Sequence, residues 1–304
     1  MNGRIVVISD LHLGRSRHAA RSAEALRPLW QGAAHLIVNG DVAEVHHPVH
    51  WATAARETLK LFDMCETDGV ELTLLSGNHD PYISDLRHLH LANHEVFITH
   101  GDVLHPAVAP WSLAAGRIRE ANEKALAALD PEDRDRLEGR LNACQHASYA
   151  EWQNIKELQE QAAHSTLRGM LVRPWALVRV LAYWRAFPKL AAAFAEKHAP
   201  AARFVLVGHT HRPGIWSIKG RIIVNTGSYG FPGRPLGVVL DDGWLRVMRI
   251  SARGELYAFD AALGEYSLNA SEHASPGQPS TGNWSVQRVV EAEEGAATPF
   301  GPRR

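Results

Sequence analysis

Short apolar runs rich in Val, Ile and Leu recur in the first third of the chain, at residues 5–9, 36–39, 71–75 and 95–99, and each is closed by a polar cluster. Runs of this length and composition, bounded by turn-forming residues, predict strands buried on both faces. Between them, residues 19–31 and 49–66 carry apolar side chains at helical spacing, so the region predicts alternating strands and crossover helices of a layered α/β fold. From about 106 to 200 the pattern changes to long helical stretches without strand signals. There Asp130-Pro131-Glu132-Asp133 predicts a helix start, with Asp130 as cap, Pro131 at the first helical position and acids facing the positive end of the dipole. Pro174 and Pro188 predict a break or bend, dividing the last part of the block into two or three short helices. Strand signals return at 203–207, 221–226, 236–241, 244–250 and 255–259, with Asp242-Gly243 as a hairpin turn. The pattern thus predicts a core built from residues 1–105 and 201–267, a helical insertion at 106–200, and a disordered tail at 268–304 with few aromatic residues.

Composition narrows the function. At 304 residues and 45% hydrophobic content, the chain is long enough to bury one large core. Lys and Arg total 32 against 33 for Asp and Glu, which leaves no overall excess of positive charge for neutralising nucleic-acid phosphates, and no specific nucleic-acid partner is expected. Cys65 and Cys144 lie far apart without metal-type spacing and read as reduced thiols. Met1 leads straight into the first strand and no run of about 18 apolar residues occurs, so a cytoplasmic protein without a spanning helix is expected. Residues 165–198 set Arg168, Arg173, Arg179, Arg185, Lys189 and Lys197 against the single acid Glu196, among Trp175, Tyr183, Trp184 and Phe187. Such a segment fits either peripheral contact with an anionic inner membrane surface or a helix packed on the protein's own core with its arginines solvated. No oligomeric state follows from the pattern.

Histidine is abundant, with 18 in the chain, and position decides which of them matter. His46, His47, His50, His88, His90 and His94 stand in polar loop or helix contexts and read as solvated. The informative ones follow strands: Asp10-Leu11-His12, Gly40-Asp41, Gly77-Asn78-His79-Asp80, His100-Gly101-Asp102 and Gly208-His209-Thr210-His211. Each alone has an ordinary reading as a turn or a helix cap. Five core strands in succession, each ending in metal-ligating side chains where α/β sheets place their ligands, are a stronger signal. Carboxylate, imidazole and amide donors together suit Mn, Fe or Zn better than Ca, and the lack of thiolates argues against a structural zinc site.

Taken in order, Asp10/His12, Asp41, Asn78/His79, His100 and His209/His211 resemble the calcineurin-like metallophosphoesterase superfamily, whose motifs are D-x-H, G-D, G-N-H-D/E, H and G-H-x-H. The resemblance covers about residues 4–104 and 203–250 and implies a four-layered αββα sandwich. It also implies a dinuclear centre with one metal on Asp10, His12, Asp41 and His211, the other on Asp41, Asn78, His100 and His209, and Asp41 bridging. Two divalent transition-metal ions about 3.5–4 Å apart clamp phosphate oxygens and make hydroxide available near neutral pH; manganese is the first expectation, with iron or zinc as alternatives. The expected substrate is a phosphorylated molecule. His79, outside the ligand sets, is implied as the leaving-group acid, oriented by Asp80, and Arg15, Arg17 and Arg212 are candidates for holding phosphate. The insertion between the fourth and fifth motifs resembles in arrangement the UDP-2,3-diacylglucosamine hydrolase branch, as do Ser9-Asp10-Leu11-His12-Leu13 and His209-Thr210-His211-Arg212-Pro213, although His79 stands where that branch usually has Arg. A pyrophosphate hydrolase acting on a lipid precursor is therefore one alternative, and a non-catalytic scaffold of the same fold another. The complete ligand set favours an enzyme, with the helical block covering the site and governing substrate entry.

Overall fold

The computed structural model describes residues 3–15, 19–112, 114–161, 174–230 and 234–268, without the side chains of 151, 153–161 and 174–177. Strands β1 (Ile5–Ile8), β2 (His35–Asn39) and β3 (Glu71–Leu75) run parallel. Helix α1 (Ala23–Trp30) joins the first two and α2 (Trp51–Thr67) the second two. Helix α1 begins where Ser22 accepts a hydrogen bond from the Ala25 N–H, satisfying one of the first turn's free donors. After β4 (His88–Leu91) and β5 (Val96–Thr99) the chain passes through α3 (Ala115–Ala128), α4 (Leu137–Gln161) and α5 (Pro174–His198). It then returns to β6 (Phe204–Val207), β7 (Gly214–Ile218), β8 (Arg221–Asn225), β9 (Leu236–Asp241), β10 (Trp244–Arg253) and β11 (Leu256–Ser267). One sheet has the order β11-β10-β9-β1-β2-β3 and the other β4-β5-β6-β8-β7.

Alternation along the strands sets the layers. Val6, Ile8, Leu36 and Val38 turn toward α1 and α2, meeting Leu26, Leu29, Trp30 and Leu61. Their neighbours Ile5, Val7 and Ile37 turn the other way and meet Ile98, Leu206 and Val224 of the second sheet. On that sheet's outer face Phe97, Val205, Val207 and Ile223 pack against Tyr183, Phe187, Ala191 and Ala195 of α5. The result is the αββα sandwich expected from the sequence.

Several local expectations are corrected. The edge strands β4 and β7 were not predicted. His88 and His90, expected to be solvated, lie on β4 and are partly buried, and burial pushes both down to about 4. His46, His47 and His50 are likewise partly buried, while His94 is exposed. Asp130 opens a turn, and α4 starts only at Leu137. The turn finishes α3 instead, because the Arg134 guanidinium donates to the Leu129 and Ala127 carbonyls, each at 3.0 Å. Pro188 does not divide the last helix but lies inside it, whereas Pro174 occupies its first position, where no N–H is needed, and residues 162–173 before it lie outside the described ones. Proline at 188 leaves the Trp184 carbonyl without its helical donor, and Arg212 Nη1 fills that place at 2.9 Å. Arg168, Arg173, Arg17 and the tail from 269 lie outside the described residues. No helix among the described residues is long and apolar enough to cross a membrane.

Below the second sheet's ligand-bearing edge, Arg87 Nη2 donates to Asp102 Oδ2 at 2.8 Å with both side chains buried, and the Cys144 thiol of α4 donates to the same oxygen at 3.3 Å. Burial alone would raise the Asp102 carboxyl, but Arg87 holds it below its ordinary value, so the pair is ionised at neutral pH and loses its contribution only in acid. Asp102→Ala strands a buried guanidinium, and we expect a loss of about 3–5 kcal/mol in chemical denaturation at pH 7. An unchanged midpoint would show that the pair contributes nothing to folding.

Candidate metal centre

The ends of β1, β2, β3, β5 and β6 converge on one seam between the sheets. Five of the seven expected ligands sit there in the left-handed region, with φ of 52° for Asp10, 49° for His12, 51° for Asp41, 67° for His209 and 56° for His211. Such a backbone costs roughly 1–3 kcal/mol per residue and persists only where the surroundings impose it. Two glycines allow the crowding: a Cβ on Gly77 would collide with the Asp41 carboxylate, and one on Gly208 with Asp10 and Ser9.

Asp10 Oδ1 accepts the His209 N–H at 3.0 Å, tying the first sheet to the second. Asp41 Oδ1 accepts the His79 N–H at 2.9 Å. Single donor atoms of Asp10, His12, Asp41 and His211 lie within 4.8 Å of one another. Beside them His100 Nε2 stands 3.3 Å from Asp41 Oδ2, and His209 Nδ1 stands 2.8 Å from Asn78 Oδ1. The far ring nitrogens are anchored: His12 Nδ1 to Glu44 at 2.9 Å, His100 Nδ1 to the Asn39 carbonyl at 2.9 Å, and His209 Nε2 to the Val108 carbonyl at 3.1 Å. The anchors leave the other nitrogens of His12 and His100 facing Asp41 and that of His209 facing the Asn78 amide oxygen, the orientation a metal-ligating histidine requires. Burial opposes charge on His100, but Asp41 and Asp10 hold it well above the ordinary histidine value, with Nε2 facing the Asp41 carboxylate, so a cation there would take the place of the ring's proton.

Charge fits the same purpose. Burial opposes charge on Asp41, yet His100, His79 and His12 hold its carboxyl well below the usual range. Burial keeps His12 below its ordinary value and, with His100 nearby, takes His209 down to about 4, so both rings are neutral at pH 7. His79 differs. Burial would lower it, but Glu44 and Asp41 carry it up to about 9 before the charge of any ion is counted.

Glu44 is the residue that sequence reading missed. Fully buried, it receives His12 Nδ1, His79 Nδ1 at 3.2 Å and Arg15 Nε at 3.0 Å. The signal was an acid three residues beyond Asp41, set among Val42, Ala43 and Val45. Asp80, expected to orient His79, instead accepts the N–H groups of Gly77, Asp41, Val42 and Ala43 at 2.8, 3.2, 2.6 and 3.1 Å. Four converging backbone donors occupy its oxygens, so its role is to lock the loops after β2 and β3 together. Arg15 reaches the site through Glu44, whereas Arg212 is held on the Trp184 carbonyl and over the Trp216 ring. Arg17 lies outside the described residues. Two helix-borne indoles reach the same loops: Trp152 donates to the Asn78 carbonyl at 2.9 Å and Trp184 to that of Thr210 at 3.1 Å.

The profile of the family described as calcineurin-like phosphoesterase matches residues 3–213. No curated protein matches the chain. Among solved structures it is similar to Vps29 from Chaetomium thermophilum at 12% identity and a TM-score of 0.41, covering 88% of this chain and 97% of that one. It is also similar to YfcE, a phosphoesterase from E. coli, at 14% identity and a TM-score of 0.40, covering 88% and 100%. A third likeness is to a conserved predicted phosphoesterase from Streptococcus pneumoniae, at 15% identity and a TM-score of 0.37, covering 88% and 98%.

If Glu44 orients His12 for a metal, Glu44→Ala should weaken divalent-ion affinity about 10–100-fold. Competition titration against a chelating dye measures this, and unchanged affinity in a folded variant would remove Glu44 from the centre.

Proposed function

We propose, from the premise that the chain belongs to the calcineurin-like phosphoesterase family, that it hydrolyses a phosphoester with two divalent transition-metal ions, manganese first among them. The observation that carries this reading is the convergence of Asp10, His12, Asp41 and His211 within 4.8 Å, with His100 Nε2 3.3 Å from the same Asp41 carboxylate. The donor set fits: imidazoles, carboxylates and an amide oxygen, with no thiolate. Asp10, His12, Asp41 and His211 would hold one ion, and Asp41, Asn78, His100 and His209 the other. When bound, the ions supply Lewis acidity toward the phosphoryl oxygens and a water of lowered pKa.

The protein's own groups do the rest. His79, charged at neutral pH through Glu44 and Asp41, gives its proton to the departing oxygen. Glu44 fixes the ring by its Nδ1, leaving Nε2 for the substrate, and Arg15 offsets the charge of Glu44. The helical block at 106–200 acts as a cap, with Trp152 and Trp184 joined to the loops that carry Asn78 and Thr210. A scaffold would need neither the strained ligand backbone nor a charged His79. A second reading, hydrolysis of a lipid-precursor pyrophosphate, draws on a cavity of about 630 Å³ between α3 and α5, lined by Pro110, Ala182, Ala186 and Leu190 with Arg119 and Arg179. Its lining suits an anionic substrate with an apolar portion.

Three outcomes are expected. Thorough chelation abolishes hydrolysis of a nitrophenyl phosphoester and manganese restores it; undiminished turnover without metal would sink the mechanism. Asp41→Ala loses nearly all activity along with tight binding of the second ion, and metal analysis that still finds two tightly held ions would exclude the shared ligand. His79→Ala keeps its metals and loses roughly 10²–10⁴-fold on an alkyl phosphoester but much less on a nitrophenyl ester, whose oxygen departs without a proton. Equal losses would mean that His79 positions substrate and transfers no proton.

A further inference from the structure

His79 has two sides. On one, His12 packs edge-on with ring centroids 4.7 Å apart, toward the candidate ligands. On the other, Trp152 of α4 packs at 5.4 Å. Beyond that indole the wall continues with His46 at 6.4 Å and His47 at 6.2 Å, then Tyr149 at 5.6 Å from His46 and Tyr82 at 5.1 Å from Tyr149. These rings come from the loops after β2 and β3 and from α4, and none is fully buried; Tyr82 is 47% exposed.

Three features distinguish this wall from spare core. The Trp152 N–H is committed to the Asn78 carbonyl, so the partly buried indole is held in place. Burial keeps His46 and His47 below the ordinary histidine value, so the rings present uncharged π faces at neutral pH. The wall is a run of five rings, whereas the cavity between α3 and α5 is lined mostly by Ala, Pro, Leu and Arg with Tyr183 and His105, and aromatic walls favour flat rings over flexible chains.

Because His79 serves the departing oxygen, whatever lies against its outer side faces the leaving group. Resting on the phosphoesterase reading above, we propose that Trp152, with His46, His47 and Tyr149, forms a leaving-group subsite that stacks a nucleobase, making the substrate a phosphoester of a nucleoside. Trp152 binds the ring and takes no part in bond cleavage.

The test uses the full-length, manganese-loaded protein turning over a nitrophenyl phosphoester, with adenosine 5′-monophosphate and ribose 5-phosphate as competitors. The two share the same phosphate and primary alkoxide and differ at the anomeric carbon, which bears the base in one and a hydroxyl in the other, and the comparison is defined whether or not either is hydrolysed. The nucleotide should compete roughly tenfold better, the scale of one base stacked on an aromatic side chain. Trp152→Leu should bring the ratio near unity. Trp152→Phe, which keeps a ring but loses the N–H, should retain most of it. Equal competition by the two compounds, an advantage as large for octyl phosphate, or a ratio indifferent to Trp152→Leu would overturn the subsite while leaving the phosphoesterase intact. A ratio lost equally in the Phe and Leu variants would show that the hydrogen bond to Asn78 is what matters, and would also overturn it. No turnover of the nitrophenyl ester under any metal would overturn the phosphoesterase reading and this inference with it.

Discussion

Burying the Asp10 and Asp41 carboxylates at the seam of two sheets costs several kcal/mol per ion unless their oxygens are fully used, and much of the surrounding structure answers that demand. Asp10 takes the N–H of His209 from the opposite sheet, and Asp41 takes that of His79 from the next loop. Imidazoles fill the remaining approaches, with His211 3.3 Å from Asp10 and His100 3.3 Å from Asp41. To bring so many groups together, the backbone of five candidate ligands accepts the left-handed region. Rigid strands packed on both faces hold that strain, which isolated loops would release. Cations bound there would replace imidazole contacts with stronger partners, and folding and metal binding would then act on the same set of side chains.

How much of this was legible depends on the length scale of the signal. The central strands were, because a strand buried on both faces is a continuous apolar run, and so was the gathering of carboxylate and imidazole side chains at their ends. The short edge strands were not: His88-Leu89-His90-Leu91 has only two apolar residues and pairs on one side alone. Glu44 and Asp80 illustrate the sharper limit. Both are buried acids beside expected motifs, and nothing local says that one collects side chains while the other collects backbone N–H groups. That difference arises from which loop lies opposite, a fact of tertiary structure. Rules for proline failed at Pro188 for the same reason, since the missing helical donor is supplied by Arg212 from 24 positions further along the chain.

That substitution ties the helical block to the site. With Pro188 in place, the Trp184 carbonyl is open to Arg212, and the Trp184 indole in turn donates to Thr210, between the two histidines of the last motif. Trp152 makes the corresponding contact on the other side of the seam, at Asn78. Both bonds end on backbone carbonyls of residues in the ligand-bearing loops. Such contacts fix the loops' paths without competing for the side chains that would hold metal. The apolar face of α5 meanwhile packs on β5, β6 and β8 through Tyr183, Phe187 and Ala191, which anchors the block while its indoles reach the loops.

Glu44 joins these layers into one chemical unit. A single buried carboxylate orients His12 toward the candidate metals, carries His79 toward its charged form and draws Arg15 to the rim. Removing the charge while keeping the shape would therefore act on metal affinity and proton donation together. The two effects can still be told apart, because His12 needs only an acceptor at Nδ1, whereas His79 needs a negative charge. An amide at position 44 preserves the first and removes the second. If the arrangement works as the geometry indicates, hydrolysis of substrates with poor leaving groups depends on the charge of Glu44 more steeply than metal binding does.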